Sequence, residues 1–227
     1  MAIRAVVFDA YGTLFDVHSI GSTAERFFPG QGSLLSRLWR ERQIEYTRLR
    51  TLSGRYLPFS RVTADALRFT LKKMQLDDPE QRAEEALLLA YRQLAIFPEN
   101  KAALEALAAQ RLPLAILSNG DAEMLGAVVR HAGVEHFFEH ILSCDQVRRF
   151  KTAPETYGLV TDTFACAPRD ILFVSSNCWD ACGASWFGNR TFWINRAGEP
   201  PEELDATLDG SAPSMTSLPD FVAGIAA

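Results

Sequence analysis

A short run of apolar residues, Ala5-Val6-Val7-Phe8, ends at a carboxylate, Asp9, and a small bendable turn follows it, Ala10-Tyr11-Gly12-Thr13. An apolar run with no polar alternation marks a strand covered on both faces. We read residues 3–8 as such a strand. The signature recurs at Leu114-Ala115-Ile116-Leu117, Ile171-Leu172-Phe173-Val174 and Phe192-Trp193-Ile194, with a weaker candidate at His140-Ile141-Leu142. Helix-like stretches precede the later runs: Lys101 to Gln110, Ala153 to Phe164, and Trp179 to Phe187. Pro113 blocks continuation of the first of these. Fully apolar strands alternating with helices predict an α/β fold, a Rossmann-like core built on a parallel sheet.

Residues 16–97 read differently. They form a helical block with no convincing strand. Leu34, Leu35, Leu38, Trp39, Tyr46 and Leu49 follow one helical face. Val62, Ala66, Phe69, Leu71 and Met74 follow a second, and Leu87, Leu88, Tyr91 and Leu94 a third. Turn signals punctuate the block at Pro29-Gly30, Gly54, Pro58, Asp77-Asp78-Pro79 and Pro98. A helical insertion after the first strand sits above the carboxyl edge of the sheet, where open α/β sheets bind ligands. The expected organisation is a core of residues 1–15 and 98–227, with an inserted helical cap of residues 16–97. The stretch from Gly198 to Pro219 is expected to wrap the surface before a short final helix.

Composition narrows the function. With 227 residues, 48% of them hydrophobic, the chain can bury a large core. Its net charge of -5 argues against a surface that coats nucleic acid. Met1-Ala2-Ile3-Arg4 does not read as a leader, and no apolar run is long enough to span a bilayer. A soluble, cytoplasmic protein with reduced thiols is expected. Cys178 and Cys182 lie four apart, on one helix face, without the further soft ligands a zinc site needs. His136 and His140 are also four apart, but Phe137 stands where a metalloprotease helix needs Glu, and plain helix positions are the better reading. No cofactor is expected.

Polar residues gather just past each apolar run: Asp9, Tyr11 and Thr13, then Ser118, Asn119 and Gly120, then Ser175, Ser176, Asn177, Trp179 and Asp180. Lys151 lies between the last two groups, in Arg149-Phe150-Lys151-Thr152-Ala153-Pro154. A parallel sheet brings these ends to one crevice. A carboxylate at such a place can attack an electrophile and carry a covalent intermediate. The competing reading of Asp9 is a capping residue at a strand–helix turn. A cation such as Lys151 nearby would keep Asp9 ionised.

This ordered set resembles the haloacid dehalogenase superfamily and, within it, the L-2-haloacid dehalogenases. The stretches that carry the resemblance are Phe8-Asp9-Ala10-Tyr11-Gly12-Thr13-Leu14, Leu38-Trp39-Arg40 leading to Glu45-Tyr46, Ile116-Leu117-Ser118-Asn119-Gly120, and Val174-Ser175-Ser176-Asn177-Cys178-Trp179-Asp180. The resemblance implies that Asp9 is the nucleophile and that Arg40 cradles the departing halide with help from Asn119. Charge builds on the halogen in the transition state, so a fixed cation there lowers the barrier. Ser118, with backbone N–H groups near Tyr11 and Asn119, would bind the substrate carboxylate; a Ser at a helix start also caps, and both can hold at once. Thr13, Ser175 and Asn177 are read as hydrogen-bonding supports around Asp9 and Asp180. Asp180 would orient or deprotonate the water that cleaves the ester. Tyr11, Phe59, Ile44 and Trp179 would line an apolar pocket for the alkyl group. Family members often form homodimers.

The chain departs from the family pattern where Thr152 follows Lys151 in place of Pro, and at Glu41 and Ile44. Phosphatases of the superfamily hold Mg²⁺ with an acidic residue where Ser176 stands here, and carry a proton donor where Tyr11 stands. Halide expulsion requires neither. The expected activity is therefore metal-free hydrolysis of a small 2-haloacid, short (S)-2-haloalkanoic acids to (R)-2-hydroxy acids. A Mg²⁺-dependent phosphatase and a non-catalytic binding module are the alternatives.

Overall fold

A computed structural model describes residues 3–78 and 80–226. Met1, Ala2 and the turn signal at Pro79 lie outside the described residues. Strands β1 (Ala5–Phe8), β2 (Leu114–Ser118), β3 (His140–Ser143), β4 (Ile171–Ser175), β5 (Arg190–Ile194) and β6 (Gly210–Ala212) form one sheet in the order β3-β2-β1-β4-β5-β6. Every adjacent pair is parallel. β1, β2 and β4 are buried at every position, as uninterrupted apolar runs require. Chain order reverses at β1, which has β2 on one side and β4 on the other. The carboxyl end of β1 is therefore the switch point at which an open parallel sheet leaves a crevice.

Helices α1 (Ile20–Phe27), α2 (Gly32–Leu52), α3 (Phe59–Lys73) and α4 (Arg82–Tyr91) come between β1 and β2, and α5 (Asn100–Ala109) leads into β2. Helices α6 (Ala122–Ala132), α7 (Pro154–Phe164), α8 (Cys178–Phe187) and α9 (Leu218–Ala226) belong to the rest of the sheet wrapping. The two chain segments that join α1–α4 to the sheet run side by side: Asp16 N–H donates to Ala95 O and Phe97 N–H to Leu14 O.

Several expectations need correction. Ile3 and Arg4 precede β1 and are not part of it. The Gly198–Pro219 stretch does more than wrap the surface, since Gly210–Ala212 adds a strand beside β5. Its three residues, Gly210-Ser211-Ala212, are small, so no apolar run announced it. Helix α6 had no place in the sequence reading, although Asp121 caps it through Met124 N–H at 3.0 Å and Gly133 closes it with φ +67°. His136 and His140 do not share a helix: the first lies in the 3-10 turn Glu135–Phe137 and the second opens β3. On α2, Leu34 and Leu49 face solvent, and the buried stripe is Leu35, Ser36, Trp39, Gln43 and Thr47. Polar Gln43 and Thr47 hid that stripe from a hydrophobicity reading. Phe69 of α3 is likewise exposed.

Candidate active site

The register sets the floor of the site. Phe8 pairs with Ile116 on one side and Val174 on the other, so Asp9, Ser118 and Ser175 emerge together at the carboxyl edge. Asp9 N–H continues the ladder to Val174 O at 2.9 Å, and the turn then folds back on Ala10 O, which accepts from the N–H groups of Leu14 and Phe15. Gly12 adopts φ +94°, a conformation costly for any residue with a Cβ. The tight turn returns Thr13 to the strand end, where its hydroxyl donates to Asp9 Oδ2 at 2.9 Å. Asn177 Nδ2 donates to the same oxygen at 2.9 Å.

Lys151 arrives from the loop between β3 and α7. Its N–H donates to Asn119 Oδ1 at 2.9 Å, and its peptide bond to Thr152 is cis. Its ammonium, 1% exposed, donates to Asp9 Oδ1 at 2.9 Å and to Asp180 Oδ2 at 2.8 Å. Asp180 is wholly buried in the first turn of α8 and also accepts from Ser175 Oγ at 3.1 Å and Tyr157 Oη at 2.8 Å. A cation thus stands between two buried carboxylates, each with further donors. Such a group is stable only when every member is paired. Burial pushes the Asp180 carboxyl up to about 6, against the pull of Lys151 and with the help of Asp9. Burial lowers the Lys151 ammonium, but Asp180 and Asp9 outweigh it and hold the group above its ordinary value. Burial first, then Asp180, keeps the Tyr157 phenol well above its usual range.

The roof comes from α2. Arg40 Nη2 donates to Tyr11 O at 3.0 Å, while Nη1 donates to Gln43 Oε1 at 2.8 Å and Tyr91 Oη at 3.3 Å. Gln43 is buried and is itself held by Tyr91 Oη and by its own bond to Thr63 Oγ1. Trp39 Nε1 donates to Thr63 O at 2.9 Å, and its ring lies 5.4 Å from that of Tyr91. A packed neutral network therefore aims one guanidinium at the turn after Asp9.

Between floor and roof lies a cavity of about 10 Å³, lined by Asp9, Tyr11, Arg40, Ile44, Thr47, Phe59, Ser118, Asn119, Asn177 and Trp179. That is room for about one water. Ser118 Oγ accepts from Gly120 N–H at 3.1 Å, which leaves its hydroxyl proton for another acceptor. The backbone N–H groups of Tyr11 and Asn119 have no acceptor among the described residues. These donors beside one carboxylate suit a small carboxylic acid. Ser176, the position of the phosphatase metal acid, donates its hydroxyl to Gly12 O and faces Thr13 Oγ1 at 3.2 Å. Among the described residues no group of His, Cys, Asp and Glu side chains is arranged to hold a metal ion.

Tyr11, Arg40, Ile44, Phe59, Ser118, Asn119 and Trp179 all border this cavity. Thr13, Lys151, Ser175 and Asp180 stand outside that lining, as a hydrogen-bonded layer joined to Asp9 and to one another. Sequence reasoning missed Tyr157, Gln43 and, as a polar partner, Tyr91. Tyr157 sits mid-helix in α7, and Tyr91 belonged to an apolar face. A Gln three residues after Arg40 was the one available signal.

A buried, cation-paired carboxylate at the switch point of a parallel sheet, with helices inserted after the first strand, is an arrangement suited to an α/β hydrolase. The chain belongs to the haloacid dehalogenase-like hydrolase family, whose profile matches residues 3–188. The (S)-2-haloacid dehalogenase of Pseudomonas sp. (strain YL) is 45% identical over 216 residues, which are 95% of this chain and 93% of that one. The crystal structure of the L-2-haloacid dehalogenase RSc1362 matches with a TM-score of 0.96 at 51% identity, covering 98% of this chain and all of that one. The L-2-haloacid dehalogenase of Xanthobacter autotrophicus with chloropropionic acid covalently bound matches with a TM-score of 0.93 at 36% identity, covering 98% and 99% of the two chains.

Proposed function

We propose that this protein hydrolyses short (S)-2-haloalkanoic acids to (R)-2-hydroxy acids and halide through an ester on Asp9, without a metal. The observation that carries the reading is the pairing of Asp9 with Lys151, Thr13 and Asn177 at the base of a cavity that Arg40, Ser118 and Asn119 also line. An Asp9 oxygen attacks C2 of the substrate. The carbon–halogen bond breaks, its electron pair leaves with the halide, and C2 inverts. Arg40 and Asn119 take the developing charge. Ser118 Oγ and the free N–H groups of Tyr11 and Asn119 hold the substrate carboxylate. Water then attacks the Asp9 carbonyl carbon, Asp180 orients it or accepts its proton, and the hydroxy acid departs with the original Asp9 oxygen. Tyr11, Phe59, Ile44 and Trp179 enclose the alkyl group.

A cavity of about 10 Å³ is too small for such a substrate. The cap must therefore open, or its side chains must move, on entry. Paired backbone segments at Leu14–Asp16 and Ala95–Phe97 suit a hinge between a core of residues 1–15 and 98–227 and a cap of residues 16–97. The relatives support the substrate class, as does the covalent complex of the Xanthobacter enzyme. Light scattering tests whether the chain forms a homodimer. The four cysteines are all free, which suits a cytoplasmic location.

The test is one turnover with excess enzyme in heavy-oxygen water containing EDTA, using each enantiomer of 2-chloropropionate. Chloride is expected from the S form alone, with label in the Asp9 side chain. Label in the hydroxy acid instead would exclude the ester.

A further inference from the structure

We propose that Arg196 is a positioning residue for the nucleophile, acting through the backbone of the turn after Asp9. Arg196 follows β5 and stands far from Asp9 in sequence. Its Nη1 donates to Gly12 O at 3.3 Å, and its Nη2 to Thr13 O at 3.2 Å and Asn100 Oδ1 at 3.1 Å. Its Nε pairs with Glu99 Oε1 at 2.9 Å, and its guanidinium lies 3.8 Å from the centre of the Phe97 ring. Asn100, wholly buried, donates from Nδ2 to Thr13 O at 2.9 Å and Leu14 O at 3.0 Å.

The carbonyls so held belong to the turn that sets the chemistry. Thr13 delivers a hydroxyl to Asp9 Oδ2, and Tyr11 O receives the Arg40 guanidinium. A shift of this backbone would displace the donor to the nucleophile and the anchor of the roof cation together. Displacements of about 1 Å can cost about 10²-fold in rate. A planar fork that bridges adjacent carbonyls suits the task, and a Lys ammonium cannot reproduce it. Arg196 does not line the cavity around Asp9. It borders a neighbouring cleft of about 890 Å³ that meets that cavity at Arg40, Ile44 and Asn177. Small solutes can therefore reach the place the guanidinium occupies.

This assignment rests on the haloacid reading for its kinetic arm only. Compare the wild type, Arg196→Ala and Arg196→Lys for chloride release from (S)-2-chloropropionate, and follow amide exchange of Leu14 and Phe15. We expect kcat of Arg196→Ala to fall by about tenfold to a hundredfold, with KM moving by less than about twofold. Added guanidinium should restore part of kcat to this variant and none to the wild type, because the vacated space borders the cleft, and the fall in kcat at near-constant KM is the response that a merely structural tie would not give. Leu14 and Phe15 amides should exchange faster in the variant. Should Arg196→Ala fail to fold, Arg196→Lys decides by the same readouts, with a smaller fall and no guanidinium response. Wild-type kcat together with unchanged exchange in a folded variant overturns the assignment. A wild type that releases no chloride sinks the haloacid reading instead, and the exchange rates still judge Arg196.

Discussion

The floor and the roof of the cavity solve opposite electrostatic problems. The floor buries Asp9, Lys151 and Asp180, which are 6%, 1% and 0% exposed, and satisfies them with hydroxyls and an amide. The roof holds one half-buried cation, Arg40, in a network of neutral groups from Gln43, Tyr91 and Thr63. Buried charges are locked together, because removing one partner leaves another uncompensated in a low dielectric. A cation held by neutral acceptors keeps its charge uncancelled. On the proposed mechanism, the floor would fix the nucleophile and the roof would answer charge appearing on the leaving group.

Breaking the floor should have the largest effect. Asp9→Asn should remove ester formation entirely, which mass spectrometry of the enzyme after incubation with substrate will detect. Lys151→Met should also abolish chloride release and should lower stability by about 3 kcal/mol, read from urea denaturation, because two carboxylates lose their shared cation. A stable, active Lys151→Met would dissolve the distinction between the two regions.

Asp180→Asn separates the half-reactions. Ester formation should continue, while its hydrolysis slows by about 10²- to 10⁴-fold, so labelled enzyme accumulates. The wild type should show the same defect in acid. Burial raises the folded Asp180 to about 6, and only the ionised form accepts a proton. Turnover should therefore decline as pH falls through about 6, with trapped ester rising. A turnover profile flat from pH 7 to 5 would remove Asp180 from that role.

The roof should give smaller losses. Arg40→Met should lower the rate of halide departure by about 10²- to 10³-fold while the ester, once formed, hydrolyses normally. Tyr91→Phe removes two hydrogen bonds from the network, the one it accepts from Arg40 and the one it donates to Gln43, and should cost about fivefold to thirtyfold in halide departure, or about 1–2 kcal/mol. A loss in ester hydrolysis from either roof variant would show that the two regions do not divide the chemistry as their electrostatics suggest.

The floor's inventory was legible because each of its members except Lys151 and Tyr157 lies at the carboxyl end of a buried strand, in the turn that follows, or in the first turn of the next helix. Lys151 lies in an irregular loop, and its residue type and neighbours alone suggested a place near Asp9. Tyr157 projects from the middle of α7, where an aromatic reads as core. The roof was harder. The α2 stripe that faces inward includes Gln43 and Thr47, so a search for apolar periodicity selected Leu34 and Leu49, which face solvent. Helix α6 and strand β6 were missed for related reasons: one is announced by its caps, and the other by pairing at a sheet edge.

Sequence alone determined the local frame of this protein: uninterrupted apolar runs of strand length, a helical insertion after the first, and a polar residue set at each strand end. Those features depend on near neighbours along the chain, where periodicity and turn chemistry act. Tertiary structure decided that β1 lies between β2 and β4, that Lys151 bridges Asp9 and Asp180, and that Gln43 and Tyr91 aim Arg40 at Tyr11 O. Each of these joins residues distant in sequence. Their pairing is selected by the cost of leaving a buried charge or donor without a partner, which becomes definite only when the whole core has closed around it.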